Sequence, residues 1–291
     1  MRQRVVQATT GLFAHAPYPL EHSLDYRGDP GLFGPDSVTW RVIGDVTTFV
    51  GGIRALLVQA AHQEVAAGVA DHSRYQEDPL GRLSRTSAYV TATAFGAIPE
   101  VEEAVQIVRR AHRPVRGESD RGRPYAADDP ADAAWEHNVL TDSFLVAYQW
   151  YGRDRLSAAD ADRFVAEQTK VGRLLDADPM PDTAAELAGW VVNHPDIGPS
   201  PGMLNAVSFL RRPPLRWNIR LGYGVLFRAA VATIPDSLRT TIGVKRRPGA
   251  IIVGRLLIRV LRAFLGSSPS WRIALTRVGA PLPEGHYFRT I

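Results

Sequence analysis

The sequence predicts an all-α protein, built as a single helical domain of about ten helices. Apolar residues recur at intervals of three and four along most long runs of the chain, which is the spacing of one helix face. Alternating apolar and polar residues, the pattern of a half-buried strand, are hard to find. Proline and glycine are concentrated between the runs. With 291 residues, 45% of them hydrophobic, the chain can bury a large core.

The chain begins with a segment of different composition. Residues 1–35 are rich in glycine, proline, histidine and aromatic residues, which predicts an extended, partly docked N-terminal arm. The helical domain then covers residues 36–291. Asp36 or Ser37 can cap a first helix that begins near Val38.

Apolar spacing marks the helices of this domain in order. It runs through residues 40–70, where Gly51 and Gly52 indicate either a close helix crossing or a break. The proline-rich stretch 193–214 contains large apolar residues and is therefore not a flexible linker, which favours one domain. Further helices are predicted at 81–95, 100–112, 130–150, 158–175, 183–192, 201–209, 218–233 and 249–265.

Composition excludes several classes of site. The absence of cysteine rules out disulfides, cysteine-ligated zinc, iron–sulfur clusters and a thiolate-ligated haem, so any metal must be held by histidine, carboxylate or tyrosine. No basic patch interleaved with aromatic residues appears, so nucleic acid is not an expected partner. No signal segment and no run of eighteen apolar residues is visible, and a cytoplasmic location is expected.

Residues 81–117 carry the strongest functional signal. Arg82, Arg85 and Thr86 are spaced to share one helix face, and a smooth run of small residues follows them. His112 comes directly after an apolar stripe. Each feature has a structural explanation, because small residues suit a helix crossing and a histidine suits a helix C-terminus. An apolar helix that ends in histidine also suits a proximal haem ligand, and Arg116 with its arginine neighbours suits haem propionates.

The other histidines are weaker candidates for a metal or cofactor ligand. Glu136 and His137 are adjacent and cannot both reach one metal from a regular helix, so His137 is expected in a pocket or in the core. His62 precedes Glu64 in an apolar run. The histidines in proline- or glycine-rich surroundings are expected on the surface or in the arm, namely His15, His22, His194 and His286.

Four segments together resemble the family of latex-clearing protein and the fungal MpaB oxygenase. They are GDPGLFGPDSVTWRV at 28–42, LLVQAAHQEV at 56–65, HSRYQEDPLGRLSRT at 72–86 and VRRAHRPVRG at 108–117. The resemblance runs from about residue 28 to the C-terminus. It implies a helical protein with a globin-like core that binds haem b, and oxidation of an organic substrate by O2.

The resemblance also implies roles for single residues. His112 matches the proximal haem ligand, and Arg82 and Thr86 match residues close to the haem. Arg85 stands where latex-clearing enzymes have a lysine that can cap the iron, a role that arginine cannot take because it stays protonated. Gly117 replaces a second histidine, and the acidic distal base has no clear counterpart, so His62 or Glu64 is the candidate. These departures argue against rubber itself as the substrate.

Residues 249–265 are apolar apart from three arginines on one stripe, Arg255, Arg259 and Arg262. One interpretation is a helix in peripheral contact with a membrane, through which a lipophilic substrate would enter. The other, which composition favours, is a helix buried on most of its circumference with the arginines in water.

The combined expectation is a haem b-dependent oxygenase or oxidase. It would act on a small-to-medium apolar, isoprenoid-like substrate with O2 or peroxide. His112 would bind the iron, Arg116, Arg82 and Thr86 would contact the cofactor, and Arg82, Arg85, Thr86 and His62 would serve catalysis. The alternatives are a haem sensor or carrier without turnover, and a cofactor-free helical interaction protein.

Overall fold

The structure, a computed structural model, describes residues 11–282 except for the side chain of Asn218. The first ten residues of the predicted arm, and His286, lie outside the described residues. The all-α fold class is confirmed: within the described part about 62% of the chain is helical, in thirteen α-helices. They are α1 Val38–Ile43, α2 Thr48–Gln59, α3 Gln63–His72, α4 Pro79–Phe95, α5 Ile98–His112, α6 Pro130–Tyr151, α7 Ala158–Arg173, α8 Ala184–Val192, α9 Pro201–Arg211, α10 Trp217–Thr233, α11 Asp236–Ile242, α12 Ala250–Leu265 and α13 Pro269–Arg277.

Short elements complete the secondary structure. A 3-10 helix spans Ser23–Asp25, and two antiparallel strands, β1 at Arg116–Glu118 and β2 at Pro124–Ala126, form a hairpin between α5 and α6. The hairpin and the helices α11 and α13 were not predicted, because elements this short display little of a period.

The predicted run 40–70 is three helices, and the breaks do not fall at its glycine pair. The chain leaves helical geometry between α1 and α2 and again between α2 and α3, whereas Gly51 lies inside α2. A Cβ atom at Gly51 would stand 2.6 Å from the Phe144 ring, so the glycine allows α2 and α6 to approach closely. The close crossing is therefore the correct interpretation of the pair.

Capping side chains set several helix starts. The Ser37 side chain accepts a hydrogen bond from the backbone N–H of Trp40, which settles the first cap in favour of Ser37 over Asp36. Thr183 and Glu186 form a capping box at α8. These local interactions satisfy N–H groups that have no partner within the helix.

The chain groups into two compact units, both discontinuous in sequence. The first comprises Met1–Val46, Arg74–Arg110 and Arg259–Ile291, and the second comprises Thr47–Ser73 and Ala111–Ile258. In the first, the Trp40 indole donates to the carbonyl of Ala94 at 2.7 Å. In the second, Arg54 on α2 donates to the Asp142 carboxylate on α6 at 2.7 Å, and both side chains are buried.

Candidate active-site residues

The predicted residues on α4 lie on one helical face in the first unit. α4 begins at Asp78, whose carboxylate accepts from the N–H of Gly81 at 2.9 Å. Arg82 is half-buried with its guanidinium 5.8 Å from the centre of the Tyr75 ring. Arg85 is exposed and pairs with Asp78 at 3.2 Å, and Thr86 is exposed. The structure thus brings these predicted residues together at the start of one helix.

Tyr89, which the sequence analysis did not single out, shares this face. It follows Arg82 by seven residues and Thr86 by three, which places the three side chains on one stripe of α4. Its hydroxyl is buried and has no hydrogen-bond partner among the described residues. Burial raises the pKa of Tyr89, and the charge of Arg109 partly opposes that effect. The stripe therefore presents an unpaired buried donor next to the predicted cofactor residues.

His112 and Arg116 belong to the second unit. His112 is the last residue of α5 and is half-buried, and within the described chain its imidazole makes no hydrogen bond or ion pair. Arg116 is exposed in β1, where its guanidinium holds both oxygens of Asp128, at 2.8 and 3.0 Å. Arg116 thus already binds a carboxylate, the group that a haem propionate would present.

His62 belongs to a polar network in the second unit, the His62 cluster, made of the buried His62 and Glu64 and the half-buried Arg121, His194 and Asp196. His62 is 3% exposed and caps α3, its Nδ1 accepting from the N–H of Val65 at 3.3 Å. Arg121 comes from the turn of the hairpin and donates to both oxygens of Glu64, each at 2.6 Å. Arg121 also donates to Asp196.

Aromatic rings close one side of the His62 cluster. The ring of His194 lies 5.0 Å from that of His62, 4.9 Å from that of Trp135 and 4.7 Å from that of Trp190, measured between centres. The expectation that His194 is a surface or arm residue is wrong. Its partners come from segments distant in the chain, so no local pattern reports the contact.

The charges of the cluster are set by burial and by Arg121. Burial and the neighbouring His194 lower the pKa of His62 to about 4, so its ring is neutral near pH 7. Burial raises the pKa of Glu64, but hydrogen bonds from Arg121 and Ser119 outweigh it and the net shift is downward. Glu64, proposed above as an alternative distal base, is therefore an ion-paired carboxylate rather than a free one.

Three members of the cluster have the composition of a metal site. Ligand atoms of His62, His194 and Asp196 lie within 4.8 Å of one another. However, both Nδ1 atoms accept from backbone N–H groups, at 3.3 Å in His62 and 3.4 Å in His194. A neutral imidazole whose Nδ1 accepts carries its proton on Nε2, so a metal at Nε2 requires these two long hydrogen bonds to break.

Each unit, taken by itself, contains residue types that a haem requires. A haem requires an imidazole nitrogen without another partner, cationic groups for its carboxylates, and a helix surface free of bulk. In the second unit, His112 offers the first, and Arg116, whose guanidinium is bound to Asp128, offers the second. In the first unit, Arg82 also offers the second. Ser87 and Ala88, both half-buried, offer the third on α4.

His137 has a structural role. It is buried in α6, its Nε2 lies 2.8 Å from the carbonyl oxygen of Gln168, and burial lowers its pKa to about 4. A neutral ring that donates to this carbonyl is a satisfied core histidine, one of the two roles expected for it.

Helix α12 corrects the preference for a buried helix at 249–265. Ile252 is 72% exposed and Leu256 62% exposed, whereas Arg262 is largely buried and pairs with Asp45 at 2.8 Å. The helix is thus buried on less of its circumference than expected: two large apolar side chains face outward, Arg255 and Arg259 are exposed as expected, and Arg262 faces inward. None of the helices in the described residues combines the length and the apolar character needed to cross a bilayer.

Comparison with known proteins supplies the reaction class. The family model for the ER-bound oxygenase mpaB/B′ and rubber oxygenase catalytic domain matches residues 40–263. No curated protein and no solved structure matches. The match includes every candidate residue described above.

Proposed function

Because this chain belongs to the mpaB/rubber oxygenase family and is an oxidoreductase of the oxygenase class, we propose that it is a haem b-dependent oxygenase with His112 as the iron ligand. The substrate is a small-to-medium apolar molecule of isoprenoid-like character, and the oxidant is O2 or peroxide. The structural observation that supports the cofactor is the imidazole of His112, which has no partner within residues 11–282 and lies at the end of α5. We also propose that the protein is located in the cytoplasm.

The α4 stripe supplies the polar groups of the proposed reaction. Haem b, when bound, supplies a redox-active iron that activates the oxidant. Arg82 and Arg85 provide positive charge that stabilises negative charge on oxygen. The hydroxyls of Thr86 and Tyr89 can each donate a hydrogen bond to an oxygen atom. His62 remains in the proposal as a hydrogen-bond donor through Nε2, since its Nδ1 already caps α3.

The test is an absorption spectrum of the purified protein, before and after dithionite and CO, with a pyridine haemochrome assay. We expect about one haem b per chain and a Soret band that shifts with CO. His112→Ala should lose the haem, while His72→Ala, which changes an exposed histidine of α3, should retain it. Full haem loading in His112→Ala would remove the axial assignment. Arg85→Ala should keep the haem and lower consumption of the oxidant; haem without any turnover would indicate a sensor or carrier.

The grouping of His62, His194 and Asp196 favours a second candidate, a mononuclear non-haem metal centre. Two histidines and one carboxylate are the ligand set of non-haem iron oxygenases. Elemental analysis separates the two candidates. Iron that is removed by chelator and lost in His194→Ala, in a protein without a Soret band, would support the non-haem centre and exclude haem.

A further inference from the structure

Charge is distributed unevenly along this chain. Residues 197–282 contain 14 arginines and lysines and a single acidic residue, Asp236, although the whole chain has 34 basic and 30 acidic residues. α10 and α12 contain no acidic residue. This part of the protein therefore carries a strong positive charge that the total of +4 conceals.

The same two helices expose apolar side chains. On α10, Trp217 is 73% exposed and Leu221 68% exposed. On the first half of α12, Val253 is 50% exposed, next to the exposed Ile252 and one turn from Leu256. Large apolar side chains that stay in water on two neighbouring helices indicate a surface with a partner.

A cleft lies where these helices meet. The helices approach closely at Gly254, where an added Cβ would stand 2.8 Å from the Cβ of Ala229. The cleft is lined by Val225 and Arg228 of α10, by Arg247, and by Val253 of α12. Both arginines are exposed, and neither pairs with a carboxylate within residues 11–282. A cleft with two available guanidiniums beside apolar side chains matches a phosphate attached to a hydrocarbon chain.

We propose that these residues of α10 and of the first half of α12, the α10–α12 surface, dock the protein on an anionic membrane. The Arg228–Arg247 cleft receives a lipid phosphate. The exposed side chains of Leu221, Ile252 and Leu256 enter the headgroup region, as on an interfacial amphipathic helix. Flanking basic residues gain from the negative potential of the lipid. A symmetric dimer through this surface is disfavoured, because two such positive faces repel each other.

This inference extends the proposed function by naming the surface from which an apolar substrate is taken up, but vesicle binding does not need the haem. The experiment is sedimentation of the full chain with vesicles of phosphatidylcholine and phosphatidylserine at 7:3, or of phosphatidylcholine alone. It is run with haem-loaded and with haem-free protein. We expect binding to the anionic vesicles in both forms, and loss of that binding at high salt.

Two pairs of variants test the residues. Arg228→Glu with Arg247→Glu should weaken binding to anionic vesicles at least about tenfold. The matched control, Lys170→Glu with Arg173→Glu on α7, makes the same change in net charge at exposed positions and should stay near wild type. Leu256→Glu should weaken binding, and Leu204→Glu, at an equally exposed leucine of α9, should not. Circular dichroism confirms the fold of each variant.

Several results would overturn the proposal. One is that the protein binds anionic and uncharged vesicles equally well, and another is that the α7 control pair weakens binding as much as the Arg228 and Arg247 pair. The proposal would also fail if the protein bound inorganic phosphate but not vesicles. It would fail as well if the wild type formed a dimer that Leu256→Glu dissociates. A colourless protein that still sediments with anionic vesicles would refute the haem assignment and leave the docking surface standing.

Discussion

Two polar regions of this protein differ in how completely their groups are paired. In the His62 cluster, Glu64 accepts from Arg121 and Ser119, and His62 caps a helix. On the α4 stripe, the hydroxyl of Tyr89 is shielded from water but has no hydrogen-bond partner in the described part of the chain. A closed network stabilises the fold, whereas an unpaired buried donor costs about 1–3 kcal/mol. The α4 stripe is therefore the better candidate for a ligand site.

The strongest test of the closed network removes its central cation. Arg121→Ala leaves the buried carboxylate of Glu64 without its partner and beside Asp196, so we expect the free energy of unfolding to fall by about 3 kcal/mol. Urea denaturation at neutral pH measures the change. Arg123→Ala is the control, because Arg123 is exposed and pairs with Asp196 but not with Glu64. This variant should lower the free energy of unfolding by less than about 1 kcal/mol. Similar losses in the two variants would show that the cluster does not act as a buried network.

The second test uses the histidine of the cluster. The folded pKa of His62, about 4, lies below the value of 6.5 for an unshielded histidine, so the unfolded chain binds the proton more tightly. Its contribution to stability is therefore complete above about pH 6.5 and is lost as the pH falls towards 4. His62→Asn keeps a good capping residue and removes the titration. In chelator-treated protein between about pH 6.5 and pH 4, the free energy of unfolding of the wild type should fall by about 1.4 kcal/mol more per pH unit than that of the variant.

His22→Asn serves as the control for that pH series, because His22 is exposed in the arm. A curve for His62→Asn that runs parallel to that of the wild type would mean that the ring of His62 is hydrated rather than buried.

Long helices were predictable because their pattern is local. The predicted helix at 158–175 differs from α7 by two residues, since Ser157 and the apolar period are both written in the adjacent sequence. The failures have a different cause. His194 lies against His62 and Trp135, which are 132 and 59 residues away along the chain, and no spacing rule connects them.

Composition alone also cannot tell which face of a helix is covered. Residues 249–265 are apolar enough for a core helix, but burial depends on which element packs against them, and Ile252 and Leu256 have no such cover. Tyr89 is the opposite case: its position seven residues after Arg82 was visible in the sequence, but only the structure shows that its buried hydroxyl has no partner among residues 11–282.

The smallest change in the free energy of unfolding is expected on the α4 stripe, and the sign of that change is informative. Tyr89→Phe removes an unsatisfied hydroxyl, so the free energy of unfolding of the haem-free protein should stay constant or rise by up to about 1 kcal/mol. Tyr223→Phe is the matched control, because the hydroxyl of Tyr223 donates to the carbonyl of Leu210 at 2.6 Å. This variant should lower the free energy of unfolding by about 1 kcal/mol. In haem-loaded protein the order should reverse, with Tyr89→Phe weakening haem retention or shifting the CO-bound spectrum while Tyr223→Phe leaves both unchanged. If Tyr89→Phe instead destabilises the haem-free protein as much as Tyr223→Phe does, the hydroxyl already has a partner such as a buried water, and the stripe is as closed as the His62 cluster.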